Sequence, residues 1–166
     1  IITNYNSGLN NVALANYGNN IKNNNPIIVN LTPFLSIANG LRPTAIQIDK
    51  DDNGWFCFII YDGANPKFLR LNFGNSLLNN PIVDDLGSFG ISNFLSYDLE
   101  LIKDDLGNFH AFFGGVSGTG IRHLNFGTKL SNTPVHNNLG TFNIIRDLCT
   151  MKFIRVNNQW LLFVSN

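Results

Sequence analysis

The chain has 166 residues, 11 basic and 11 acidic side chains that cancel, and only 13% charged residues. Neither sign collects into a run, which argues against a nucleic-acid partner, because that needs a basic stripe. The longest apolar run, Trp55 to Tyr61, is far too short to span a membrane. Asn takes the place of charge, with 28 copies beside 15 Gly and 14 Phe, and Asn and Gly are the residues that tolerate turns and left-handed backbone.

The first residue is not Met and no basic leader or cleavage site follows it. The expectation is a segment of something longer, or a mature product. Cys57 and Cys149 are too few for a disulfide framework and are expected as buried free thiols.

Taken in order, the chain opens with a remnant around Ile1–Asn6, an apolar strand near Val12–Tyr17, and another near Ile27–Leu31. Next comes Ile46–Lys50, a polar turn ending in Asn53-Gly54, and the run Trp55–Ile60. Asn-Gly between two strand-like runs predicts a hairpin whose turn residues both take positive φ. Leu71-Asn72-Phe73-Gly74 and a Pro81-Ile82-Val83-Asp84-Asp85 strand follow, and then the pattern restarts. The glycine after the aromatic recurs at 18, 74 and 127, and the aromatic after the hairpin turn at 55, 109 and 160. Two independent landmarks therefore share a period of about 53 residues, the length of a propeller blade.

One unit reads as four strands: A over Thr44–Lys50, B over Trp55–Tyr61, C over Lys67–Phe73 and D over Pro81–Asp85. The next has A at Asp98–Lys103, B at Phe109–Gly114, C at Thr119–Phe126 and D at Pro134–Asn138. Strand B is apolar at every position from Trp55 to Ile60, as in a strand buried on both faces. The expected fold is all-β: a β-propeller segment of about three four-stranded antiparallel blades, part of a larger propeller. Residues 1–40 would be the second half of a blade and its connection, 41–94 and 95–143 whole blades, and 144–166 the first half of another. Open edges at both ends invite aggregation. The expected partners are therefore further blades, from the same parent or from another chain, strands A and B of one copy completing C and D of another.

Chemistry is sparser. Asp51-Asp52, Asp84-Asp85 and Asp104-Asp105 are paired carboxylates, read as turn residues before ligands. His110, His123 and His136 fall on strands B, C and D of one unit, and form a metal site only if they share a face. Packing is the simpler reading, since the previous unit has Phe56, Arg70 and Val83 there. No nucleophile or phosphate-loop pattern stands out, and neither catalytic residue, metal nor cofactor is expected. The candidate binding residues are loop positions that break the repeat: Asp62, Asn65, Ser117 and Thr119 in B–C loops, and Ser92, Asn93, Arg146 and Asp147 in D–A connections. Their side chains can hydrogen-bond sugar hydroxyls or peptide backbone. A repeated Leu-x-x-Phe, at Leu31/Phe34, Leu86/Phe89 and Leu139/Phe142, is expected to plug the gap between blades.

The unit Leu-Asn-Phe-Gly-Asn-Ser-Leu-x-Asn-x-Pro-x-Val-x-x-Leu-Gly resembles the propeller repeats of gliding-motility-associated, adhesin-like surface proteins exported by the type IX route. The hairpin Asp104-Asp105-Leu106-Gly107-Asn108-Phe109 also resembles the turn of NHL-type propellers. The resemblance implies a secreted or cell-surface protein and a non-catalytic binding or scaffold module, for a surface glycan or a protein ligand. The alternatives are a fragment of a glycan hydrolase or lyase, and a self-assembling propeller completed by a second copy.

Overall fold

The computed structural model describes residues 2–6, 9–35, 41–63, 66–91, 98–116, 119–143 and 145–165. Every sheet in it is antiparallel. β1 (Ile2–Asn6), β2 (Leu9–Asn16) and β3 (Ile27–Asn30) form the first, and a 3-10 turn over Thr32–Phe34 leads out of it. β4 (Arg42–Asp51), β5 (Gly54–Asp62), β6 (Lys67–Gly74) and β7 (Ile82–Asp85) make the second, in sequential order. β8 (Asp98–Lys103), β9 (Phe109–Gly114), β10 (Ile121–Gly127) and β11 (Val135–Gly140) make the third, and β12 (Thr150–Val156) with β13 (Gln159–Ser165) the fourth. The expected strands A to D of both whole units are here within two residues. Among the described residues no helix is long and apolar enough to cross a membrane.

The hairpins align as the repeat demands. Lys50 pairs with Trp55, Lys103 with Phe109 and Arg155 with Trp160, and each cation lies over its partner's ring at 5.6, 4.8 and 5.7 Å from the centroid. The Asn-Gly expectation fails at its own site. The turn residues are Asp52 and Asn53, and Gly54 is already strand, paired with Asp51 at φ 132°. The left-handed pair sits instead at Asn157 and Asn158, with φ 49° and 62°.

The Leu-Asn-Phe-Gly motif now has its physical reason. The Asn side chain accepts the amide of the glycine two residues on, at 2.9 Å for Asn16 and Asn72 and 2.8 Å for Asn125. Each of those glycines is left-handed, at φ 62–64°. Farther on, Asn79 and Asn132 donate to the Phe73 and Phe126 carbonyls across the same turns.

Sheets stack face to face. Phe56, Phe58, Ile60 and Phe68 of the second pack against Leu99, Phe109, Ala111, Phe113, Leu124 and Phe126 of the third. Cys57, Ile59, Tyr61, Leu69 and Leu71 fill the other face with Val12, Leu31 and Leu35. β5 is therefore buried almost throughout, as its unbroken apolar run requires. Successive sheets lie closest at their first strands, β4 beside β8 and β8 beside β12.

Phe34 and Phe89 of the Leu-x-x-Phe motif pack against these cores, whereas Phe142 is exposed. The cysteines also part company: Cys57 is buried, which pushes its thiol pKa up to about 12, while Cys149 is exposed on the connection before β12.

Candidate functional site

Besides the apolar core, a polar device joins the second sheet to the third. Asp51, at the β4–β5 turn, accepts the Leu130 amide at 2.7 Å. Arg70, on β6, reaches the same turn with Nη1, donating to the Leu130 and Asn132 carbonyls at 2.8 and 2.6 Å. Its Nε and Nη2 hold Asp84 Oδ2 at 3.1 and 3.0 Å. Leu130 is fully buried in the seat so formed. Asp84 is thus an arginine partner, and Asp85 binds Lys67. Turn chemistry explains only part of that acidic pair, as Asp85 also accepts the Gly87 amide.

The corresponding seat on the third sheet carries different chemistry. Asp104 stands for Asp51, His110 for Phe56 and His123 for Arg70. Asp104 Oδ2 lies 3.1 Å from His110 Nε2, and His110 Nδ1 lies 2.9 Å from His123 Nε2. The Asn108 side chain and amide and the Leu106 amide also donate to Asp104, and with His110 they hold its carboxyl well below the usual range. Phe112 stacks on His123 at 4.7 Å and meets Phe153 of β12 at 4.4 Å. Burial, then the charges of His110 and His136, lower the pKa of His123. With Asp104 ionised, a neutral His110 donates Nε2–H to it and accepts the His123 Nε2–H at Nδ1, so the line of bonds fixes both tautomers.

His136 does not join them. It pairs with Leu124, not with His123, and so points to the opposite face, where its ring lies 5.2 Å from that of Phe89. A one-residue offset reverses a strand side chain, and the three-imidazole site dissolves into a pair and a single. Among the described residues no group of three or more His, Cys, Asp and Glu is placed to hold a metal. On this second face the Arg122 Nε and Nη1 and His136 Nε2 atoms are buried without hydrogen-bond partners among the described residues.

The proposed loop ligands are scattered in character. Asp62 is buried and forms two bonds with Arg42, at 2.8 and 2.9 Å, so its carboxylate is committed within the β4–β5 ladder. Thr119 Oγ1 is buried without a described partner. Arg146 and Asp147 are the most accessible, and the neighbouring Leu148 amide donates to the Gly115 carbonyl at 3.2 Å. That bond ties the β9–β10 loop to the β11–β12 connection. Asn65, Ser92, Asn93 and Ser117 lie outside the described residues. A groove of about 270 Å³, which the repeat pattern does not reveal, runs between Phe34, Leu69, Pro81 and Val83 with the Lys67–Asp85 pair at its edge. That ion pair is a diagonal contact, since Asp85 pairs directly with Leu69; the groove itself depends on how the Thr32–Phe34 turn lies over the sheet.

No protein-family model matches the chain, and no curated protein matches it in sequence.

The histidines make stability pH-dependent in a definite direction. His123 and His136 have folded pKa values below 6.5, so the unfolded chain binds more protons as pH falls through that value. Their contribution is therefore fully present above about pH 7 and is lost below it, with a slope of at most about 1.4 kcal/mol per pH unit for each ring. Urea titrations between pH 7.5 and 5 should show the midpoint falling. His123→Gln should flatten that fall; an unchanged slope would remove His123 from the account.

Proposed function

We propose that the chain is a β-propeller segment serving as a non-catalytic binding or scaffold module of a secreted or cell-surface protein, of the adhesion or gliding-motility kind. The observation that carries the propeller reading is the seat of Asp51 and Arg70 on the Leu130 turn, combined with sheets that approach at their first strands. Successive four-stranded sheets set radially about an axis have this relation. Binding is favoured because strands are locked between neighbouring sheets while the rim of loops is free to vary. The surface location rests on the resemblance of the Leu-Asn-Phe-Gly repeat.

The test is binding of the purified chain to a panel of immobilised bacterial and plant polysaccharides. Wild type should bind at least one, and Arg146→Ala with Asp147→Ala should weaken it at least about fivefold, roughly 1 kcal/mol, with the melting temperature unchanged. Release of reducing ends or unsaturated sugar would replace this reading with a hydrolase or lyase. Absence of binding across the panel would overturn the carbohydrate form of the proposal.

A further inference from the structure

We propose that two copies of this chain associate head to tail into one closed ring, the Tyr17–Pro26 turn of each docking on the Asp104–His110–His123 seat of the other. The inference rests on the propeller reading and deepens it by naming the partner.

The occupied seat within the chain defines what the open one fits. Asp51 and Arg70 receive a turn that begins Asn125-Phe126-Gly127 and buries Leu130 three residues after its glycine. The turn that begins Asn16-Tyr17-Gly18 has the same Asn-to-glycine bond and the same left-handed glycine. It places Ile21 three residues after that glycine. Leu130 is 0% exposed and Ile21 is 84% exposed. The two turns also share a backbone bond, from Asn23 to the Asn20 carbonyl and from Asn132 to that of Lys129, and only the Leu130 turn has its socket within the chain. On the third sheet, β12 binds along Asp98, Glu100, Asp105 and Phe112, alongside the seat. In the docked state the Ile21 amide would donate to Asp104, and His123 would donate its one N–H to a turn carbonyl where Arg70 serves two. The Asp104–His110–His123 chain is the way these groups satisfy one another when the seat is empty.

A second pair of surfaces matches in the same sense. Leu161 and Phe163 on β13 occupy the repeat positions of Phe56 and Phe58, which are fully buried, yet Phe163 is 57% exposed. Ile46, Ile48 and Trp55 occupy the positions of Leu99, Leu101 and Phe109, and are only half-covered. Head-to-tail docking lays the first set on the second. Such a contact is heterologous and closes when the rotation permits. Two whole sheets from each copy and two shared ones make six, within the usual range of four to eight blades.

The shared sheet has one requirement. β1 pairs with β2 over Ile2–Asn6 in the place that strand B holds elsewhere, so simple addition of strands A and B to C and D is over-full by one strand. β13 of the partner must replace β1. The exchange keeps the backbone ladder and substitutes the apolar Trp160-Leu161-Leu162-Phe163-Val164 for Ile2-Thr3-Asn4-Tyr5-Asn6.

Sedimentation of the 166-residue chain tests this directly. The expected species has twice the 18.5 kDa chain mass at about 10 µM. Ile21→Asp and Phe163→Asp, both at exposed positions, should each raise the dimer dissociation constant at least about 100-fold, near 3 kcal/mol, with unchanged circular dichroism. In a Cys149→Ser background, mixing Ile21→Cys with Asp104→Cys chains under oxidation should give a covalent heterodimer. A monomer at every concentration would overturn the ring, and a cooperative β-sheet melt of that monomer would leave the propeller segment, completed by other blades, standing. A dimer insensitive to Ile21→Asp, or open oligomers, would overturn it as well.

Discussion

Gly54→Ala is expected to destabilise the protein by on the order of 4 kcal/mol, lowering the melting temperature by roughly 8–16 °C for a domain of this size. A Cβ built on Gly54 falls 2.1 Å from the Gly74 carbonyl oxygen, at φ 132°. The obstruction is backbone in the β5–β6 ladder, where Trp55 pairs with Gly74 beside a register shift, so no side chain can swing away. Gly87→Ala is the matched control. It also has positive φ, at 89°, but open space around the new methyl, and should cost only about 1 kcal/mol. Similar losses at the two positions, measured by urea unfolding, would mean that dihedral strain alone governs Gly54.

Arg70→Met should cost about 3 kcal/mol. The side chain is nearly buried and holds two carbonyls of the Leu130 turn as well as Asp84. Methionine fills much of the volume but leaves two carbonyl oxygens unpaired. Asp51→Ala orphans the buried Leu130 amide and should cost about 2 kcal/mol, whereas Asp51→Asn retains an acceptor and should cost much less. The double mutant Arg70→Met with Asp51→Ala should lose less than the sum, because both hold one turn. Strict additivity would show that the two contacts do not act as a unit.

These seats mark where reading the sequence stopped. The strands, their order within each sheet and the alignment of Trp55, Phe109 and Trp160 were legible, because a hairpin writes its apolar runs and turn residues locally and the repeat writes them more than once. The pairing of Lys50, Lys103 and Arg155 with those rings was within reach of the same register count. Asn53-Gly54 misled, since the glycine answers the Gly74 carbonyl on a neighbouring strand rather than the turn it adjoins. His136 misled by one residue of register, which is enough to carry it through the sheet.

The sequence by itself determined an all-β chain of repeated antiparallel units and located nearly every strand, since apolar runs and turn residues are local properties. Which repeat positions became ties between sheets was settled by tertiary packing: Leu130 lies 79 residues after Asp51 and 60 after Arg70 and meets both only because the sheets stack. It likewise decided that Asp62 is locked to Arg42, that His110 and His123 share a face, and that Ile21 is an exposed counterpart of a buried leucine. Burial and partnership belong to the surfaces that face one another, and equivalent residues in successive repeats meet different neighbours.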